Sequence, residues 1–144
     1  MAFYKEIKPL VGYICKGAHG GDLLGEITDF CRDRGITLGR VEALGALVRA
    51  KLGYYNQDTR QYETLEFDRH LEITNLVGNV SLKDSQPIVH AHVTLSDDAG
   101  AAIGGHLVPG CEIFACEFVV QAFEGPQLNR GFDEQTGLPL WNEE

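Results

Sequence analysis

The chain has 144 residues, enough for one domain with its own core, and 44% of them are hydrophobic against 23% charged, which argues against a disordered, collagen-like or coiled-coil chain. Lys and Arg number 12 and Asp and Glu 21, for a formal net charge of −9; this works against general DNA or RNA binding, whose affinity rests on cations that displace counterions from phosphate. No run approaches 18 apolar residues and the N-terminal MAFYKEIKPL lacks a signal-peptide core, so no membrane span and a cytoplasmic location are expected.

In chain order, LVGYICKGA (residues 10–18) is rich in β-formers and predicts a strand, ended by the turn signal His19-Gly20-Gly21. DLLGEITDFCRDRG follows. Asp22 can cap a helix, Leu23, Leu24, Ile27, Phe30 and Cys31 recur at helical spacing, and Gly35 can close it. Its other face, with Glu26, Asp29, Arg32 and Asp33, is an ordinary solvated side. A helix start at His19-Gly20-Gly21 could hold an anion, but a plain turn suffices. ITLGRVEALGALVRAKLGYYN, with Gly39, Gly45 and Gly53, predicts one twisted strand broken by a bulge, or two strands in sequence. QYETLEF alternates and is joined to it by the turn-rich NQDTRQ, which predicts a hairpin. HLEITNLVGNVSL, PIVHAHVTLS and CEIFACEFVVQAF continue the strand signal. Seven or so strands with one main helix predict an α+β (α/β) fold dominated by antiparallel sheet. The tail from residue 125 to 144 is rich in turn residues but holds Leu128, Phe132, Leu138, Leu140 and Trp141, so it is expected to pack across the domain or onto a neighbouring subunit. With no internal repeat or linker, residues 1–144 are expected to form a single domain with a core over about 10–124.

Chemistry concentrates in HAHVTLSDDAGAAIGGHL, His90 to Leu107, which carries three of the five histidines. On a strand His90 and His92 point to one face, with Cα atoms roughly 6.6 Å apart, a separation one metal ion can bridge. A turn through SDDAG and a return along AAIGGHL would bring back His106, giving the three-ligand set of an open zinc site. Gly104 and Gly105 would allow close backbone approach and leave room for a ligand. The alternative is a pair of partly exposed imidazoles satisfied by water or neighbours. Asp97 and Asp98 are expected to cap the turn, or to fix a histidine tautomer. His19 and His70 read as structural. Cys15, Cys31, Cys111 and Cys116 form no C-x-x-C pair and read as reduced, inert thiols. Ser81, Ser85 and Ser96 lack a G-x-S-x-G context, and no phosphate-binding loop occurs.

Several segments in order resemble the plants-and-prokaryotes-conserved (PPC) domain: GDLLGEITDFCRDRGI, VEALGALVRAKLGYYN, LEITNLVGNVSL, HAHVTLSDDAGAAIGGHL and CEIFACEFVVQAF. H-A-H followed by G-G-H-L is the most specific part. The resemblance implies an α/β domain with an antiparallel sheet, assembled as a homotrimer. In the stand-alone bacterial and archaeal branch it implies a zinc (Zn2+) site, which carries over to His90, His92 and His106. Plant members grip DNA through a separate R-G-R-P motif, absent here. Where they carry G-R-F-E-I-L this chain has Arg69 to Thr74, RHLEIT: Glu72 and Ile73 match, His70 and Leu71 do not.

Three functional readings follow from residues and resemblance together. One is a trimeric zinc protein acting as a small hydrolase or lyase, whose metal would present an activated water. Another is a DNA-associated regulator, and the last a structural or ligand-sensing trimer in which zinc serves folding or the binding of a small molecule. Charge weighs against DNA, since a trimer would carry 3 × (−9) = −27. Glu42 and Glu72 stand in strand-like apolar segments and are the acids to test for a place beside the metal; neither receives a role from the sequence.

Overall fold

The computed structural model describes residues 3–142. Nine strands and one helix form among them, in the order β1 (Lys8–Lys16), α1 (Leu23–Asp33), β2 (Gly39–Asn56), β3 (Gln61–Phe67), β4 (Leu71–Lys83), β5 (Gln86–Ser96), β6 (Ala102–Leu107), β7 (Glu112–Glu124), β8 (Arg130–Phe132) and β9 (Pro139–Trp141). The result is a mostly antiparallel seven-stranded sheet with a single helix among the described residues, richer in β-structure than the α+β label suggests.

The helix forms where its signals place it. Asp22 holds an extended backbone and its Oδ1 accepts the Gly25 N–H at 2.9 Å, satisfying one of the donors a helix start leaves bare. At the other end Gly35 takes φ +64°; the Gly35 N–H donates to Arg32 O at 3.1 Å and the Ile36 N–H to Cys31 O at 2.8 Å, the paired bonds of a Schellman cap. Leu23, Ile27 and Cys31, spaced by four, are fully buried and pack α1 onto β5 and β7. Each such aliphatic side chain contributes about 1.5–3 kcal/mol when taken out of water.

β2 organises the sheet. It runs unbroken for 18 residues, and the strand order is β1-β7-β2-β4-β5-β6 with β3 also on β2. Its first half pairs with β4 and β7, its second half with β3. Within the first half the register against β4 shifts between Ala43 and Gly45; at Gly45 φ is +143° and any Cβ would strike Ala115 O, so the anticipated bulge is where only glycine fits. The curled sheet lets β6 meet β2 again at Leu52↔Leu107 and Gly53↔His106. β1 starts two residues earlier than LVGYICKGA suggests, because Lys8 and Pro9 pair with Glu124 and Phe123.

The core lies between α1 and one sheet face, with Val41, Leu76, Val93, Leu95, Ile113 and Val120 almost fully buried. The opposite face has no helix on it. The tail folds back over its own chain: Tyr55 Oη donates to Thr136 O at 2.7 Å, and Arg60 donates to Glu134 O and Gln135 O at 3.2 and 3.3 Å. Leu82 N–H donates to Leu128 O at 2.9 Å.

Candidate metal centre

Sheet register explains why three histidines so far apart in sequence meet. His90 and His92 are on β5 and point to the helix-free face; His92 pairs directly with His106 on β6. One row across the sheet reads Ile14, Val119, Glu42, Val77, His92, His106, and the next reads Gly12, Gln121, Arg40, Asn79, His90.

The rings form a nearly equilateral triangle. Centroid separations are 5.5 Å for His90–His92, 5.1 Å for His90–His106 and 5.4 Å for His92–His106. One ring nitrogen from each lies within 4.8 Å of the others. Nitrogens on one tetrahedral zinc ion are about 3.3 Å apart, given bonds of about 2.0–2.1 Å, so the rings need draw in only slightly. The residues therefore fit a metal ion, and His106 adds a second sign: its Nδ1 is buried with no hydrogen-bond partner, a cost of about 1–3 kcal/mol that a cation would remove.

Electrostatics favours the lone-pair form of these rings. Burial pushes His90 down to about 4, helped by the positive charge of Arg130 and by His106 and His92. Burial, then His92, then Arg130 lower His106 as well. Both are neutral at pH 7, the state in which imidazole binds a metal.

Four neighbours of the triad are not picked out by the sequence patterns. Arg130, from β8, approaches His90 Nδ1 at 3.4 Å and is fixed by donating to Ser81 Oγ and Asn79 Oδ1, each at 2.8 Å, and to Pro139 O at 3.1 Å. Its guanidinium lies over the Trp141 ring, 5.4 Å from the centroid. Tyr62, from β3, stands against His106 with ring centroids 5.3 Å apart. The available signal was Asn79 and Ser81, two polar side chains at alternate positions of an apolar strand. Ser81 is the buried polar residue among those described.

Other expected site residues fall elsewhere. Glu42 shares the face and row of His92, but Val77 stands between them, about 10 Å in strand spacings, and it pairs with Arg40 at 2.5 Å. Glu72 lies opposite Ser96, about 13 Å along β5 from His92. Asp97 caps its turn as expected, Oδ1 accepting from Ala99 and Ala101 N–H at 3.0 and 2.9 Å, and it faces Arg69 at 3.5 Å. Asp98 lines a separate small cavity with His70. His19 Nδ1 is 2.8 Å from Phe114 O, a structural contact. A Cβ on Gly104 or Gly105 would meet Val93 O or Gly53 O at 2.9 Å. Their small size thus serves close packing of β6 between β5 and β2; the space beside them is filled by backbone and not open to a ligand. The four cysteines are free, and burial pushes Cys31 up to about 12 and Cys111 and Cys116 up to about 11, which makes them poor nucleophiles.

The Plants and Prokaryotes Conserved (PCC) domain family matches residues 4–124. The chain belongs to this family. Among solved structures, a protein of Archaeoglobus fulgidus described as metal-containing is 42% identical with a TM-score of 0.93, covering 98% of this chain and 99% of that one. A plant- and prokaryote-conserved (PPC) protein of Pyrococcus horikoshii is 34% identical, TM-score 0.91, covering 96% of each chain. A candidate DNA-binding protein of Bacteroides thetaiotaomicron is 27% identical, TM-score 0.86, again covering 96% of each. The bifunctional protein GlmU of Synechococcus sp. (strain JA-3-3Ab) is 36% identical over 104 residues, 72% of this chain and 16% of that protein. This PCC-family chain thus spans only about a sixth of the curated relative. No helix among the described residues is long and apolar enough to cross a membrane.

Proposed function

We propose that the chain is a zinc-binding homotrimer in which His90, His92 and His106 hold the metal and leave one coordination position for a small molecule. The observation that carries this reading is the convergence of three ring nitrogens within 4.8 Å at a place where burial keeps two of the rings unprotonated. The metal-containing relative from Archaeoglobus fulgidus supports it. When bound, zinc with three imidazoles acts as a Lewis acid toward whatever takes its fourth position. The chain's own residues set the site's shape: Arg130 borders His90, Asn79 and Ser81 hold Arg130 in place, and Tyr62 backs His106. No carboxylate touches the triad among the described residues, so we assign binding at the metal and no proton-transfer step.

The trimer rests on the family and on the β1-β7-β2 part of the helix-free face, away from the triad, where Ile14 is 89% and Leu44 58% exposed. Large apolar residues on one sheet face call for a cover, and further copies of the chain supply it. Four free thiols support a cytoplasmic location.

DNA association is the second reading, favoured by the description of the Bacteroides thetaiotaomicron neighbour. We rank it lower, because a net charge of −27 on a trimer repels phosphate overall. Protein purified without chelator is expected to carry about one zinc per chain by elemental analysis and to weigh 3 × 15.9 = 47.7 kDa in sedimentation. His92→Ala should abolish the metal. A metal-free wild type that cannot be reloaded would overturn the metal reading, and a monomer the assembly.

A further inference from the structure

Next to the triad the helix-free face is hollowed into a cavity of about 540 Å³, a size that holds small organic ligands. His90 and His92 form one side. Ile7, Leu38, Val77, Phe123, Leu128 and Trp141 supply an apolar wall. The charged groups on the wall are Lys5 and Arg40, and neither Asp nor Glu is among its residues, in a chain where acids outnumber Lys and Arg by 21 to 12. Arg40 is partly neutralised by Glu42. Beyond His90, Arg130 contacts a hydroxyl, an amide, a carbonyl and an imidazole, and no carboxylate among the described residues. Among the described residues, a dication held by neutral imidazoles at this place would have no protein anion beside it.

We propose that this cavity takes an organic monocarboxylate with an aromatic or aliphatic body, its carboxylate turned toward His90 and His92 and its body against Leu38, Phe123 and Trp141. The carboxylate end of this inference rests on the metal reading above. Charge selects an anion, and the wall selects the rest of the molecule. A sugar would bury several hydroxyl groups where Asn79, Tyr4 and the Trp141 indole N–H are the uncharged polar groups besides the histidines, and each hydroxyl left unpaired costs about 1–3 kcal/mol. An apolar body meets no such penalty and releases water from the wall.

The test is isothermal titration of the full chain, zinc-loaded and chelator-treated, with three probes: 3-phenylpropionate, the uncharged 3-phenylpropanol, and propionate, which has the charge without the body. Metal content is measured on the same samples. With zinc bound, 3-phenylpropionate is expected to bind at least about tenfold tighter than either other probe. Trp141→Ala and Ile7→Ser, at two partly exposed positions of the wall, should each weaken it by about fivefold or more without changing the zinc content. Equal binding of the alcohol, tighter binding of glucose 6-phosphate, or no binding by a chain that carries its zinc would overturn the ligand class and leave the metal centre standing. A chain that takes up no zinc yet still prefers 3-phenylpropionate supports the cavity assignment while the metal reading fails; if it binds neither, both fall.

Discussion

Acidifying the metal-free protein from pH 7 to pH 5 is expected to weaken its fold through His90. The folded chain holds this ring at about 4, whereas in the unfolded chain it titrates near 6.5. As pH falls through 6.5 the unfolded state takes up a proton and the folded state does not. Stability is therefore complete above that value and declines until the folded ring titrates in turn near 4. At pH 5 the gap amounts to about 1.5 pH units of unmatched protonation, or about 2 kcal/mol. The ring is only half-buried, so water screens part of this and about 1 kcal/mol remains. With a urea slope of about 2 kcal/mol/M, the unfolding midpoint moves by about 0.5 M. The assay compares wild type with His90→Gln in the presence of chelator, at both pH values, so that the carboxylates common to both proteins cancel. Wild type should lose about 0.5 M more than the variant; equal losses would show that His90 is not held neutral by its surroundings and would sink the electrostatic argument. The shift of His106 has the same sign, so His106→Gln should reduce the pH dependence too.

Other consequences concern metal and fold. Zinc at a hundred times its dissociation constant should stabilise wild type by about 2.7 kcal/mol in thermal unfolding, reversed by chelator and absent in His106→Ala. Gly45→Ala forces a Cβ into Ala115 O at φ +143° and should cost about 3 kcal/mol or more in urea melts. Asp22→Ala removes the helix cap and also the acceptor of the Gly110 N–H at 2.6 Å and the Cys111 N–H at 3.2 Å, so a loss of about 2–3 kcal/mol is expected, above the typical loss of about 1 for a cap alone.

What could be read from the sequence was local. Asp22, the four-residue spacing of Leu23, Ile27 and Cys31, and Gly35 mark α1 to within a residue at each end, because cap, face and stop lie within one continuous segment. His90, His92 and His106 were also legible, since the alternation on β5 and the short turn at Asp97 and Asp98 fix their register without help from the rest of the chain. Arg130 was not. It reaches His90 from forty residues away, on a three-residue strand that carries no periodic pattern. The sheet order was hidden for the same reason: nothing within β2 says that its two halves serve different partners, and the change of partners between Leu47 and Ala50 carries no glycine or proline to mark it. Glycines at 104 and 105 show a further limit, since a missing side chain has the same spelling whether the space goes to a ligand or to a neighbouring strand.

X-ray absorption at the zinc edge of the loaded protein reads the coordination of the metal itself. Three imidazole nitrogens at about 2.0–2.1 Å and one exchangeable oxygen ligand are expected, with the histidine signal lost in His92→Ala. Sulfur in the first shell, or two nitrogens or fewer, would place the metal somewhere other than His90, His92 and His106 and contradict it.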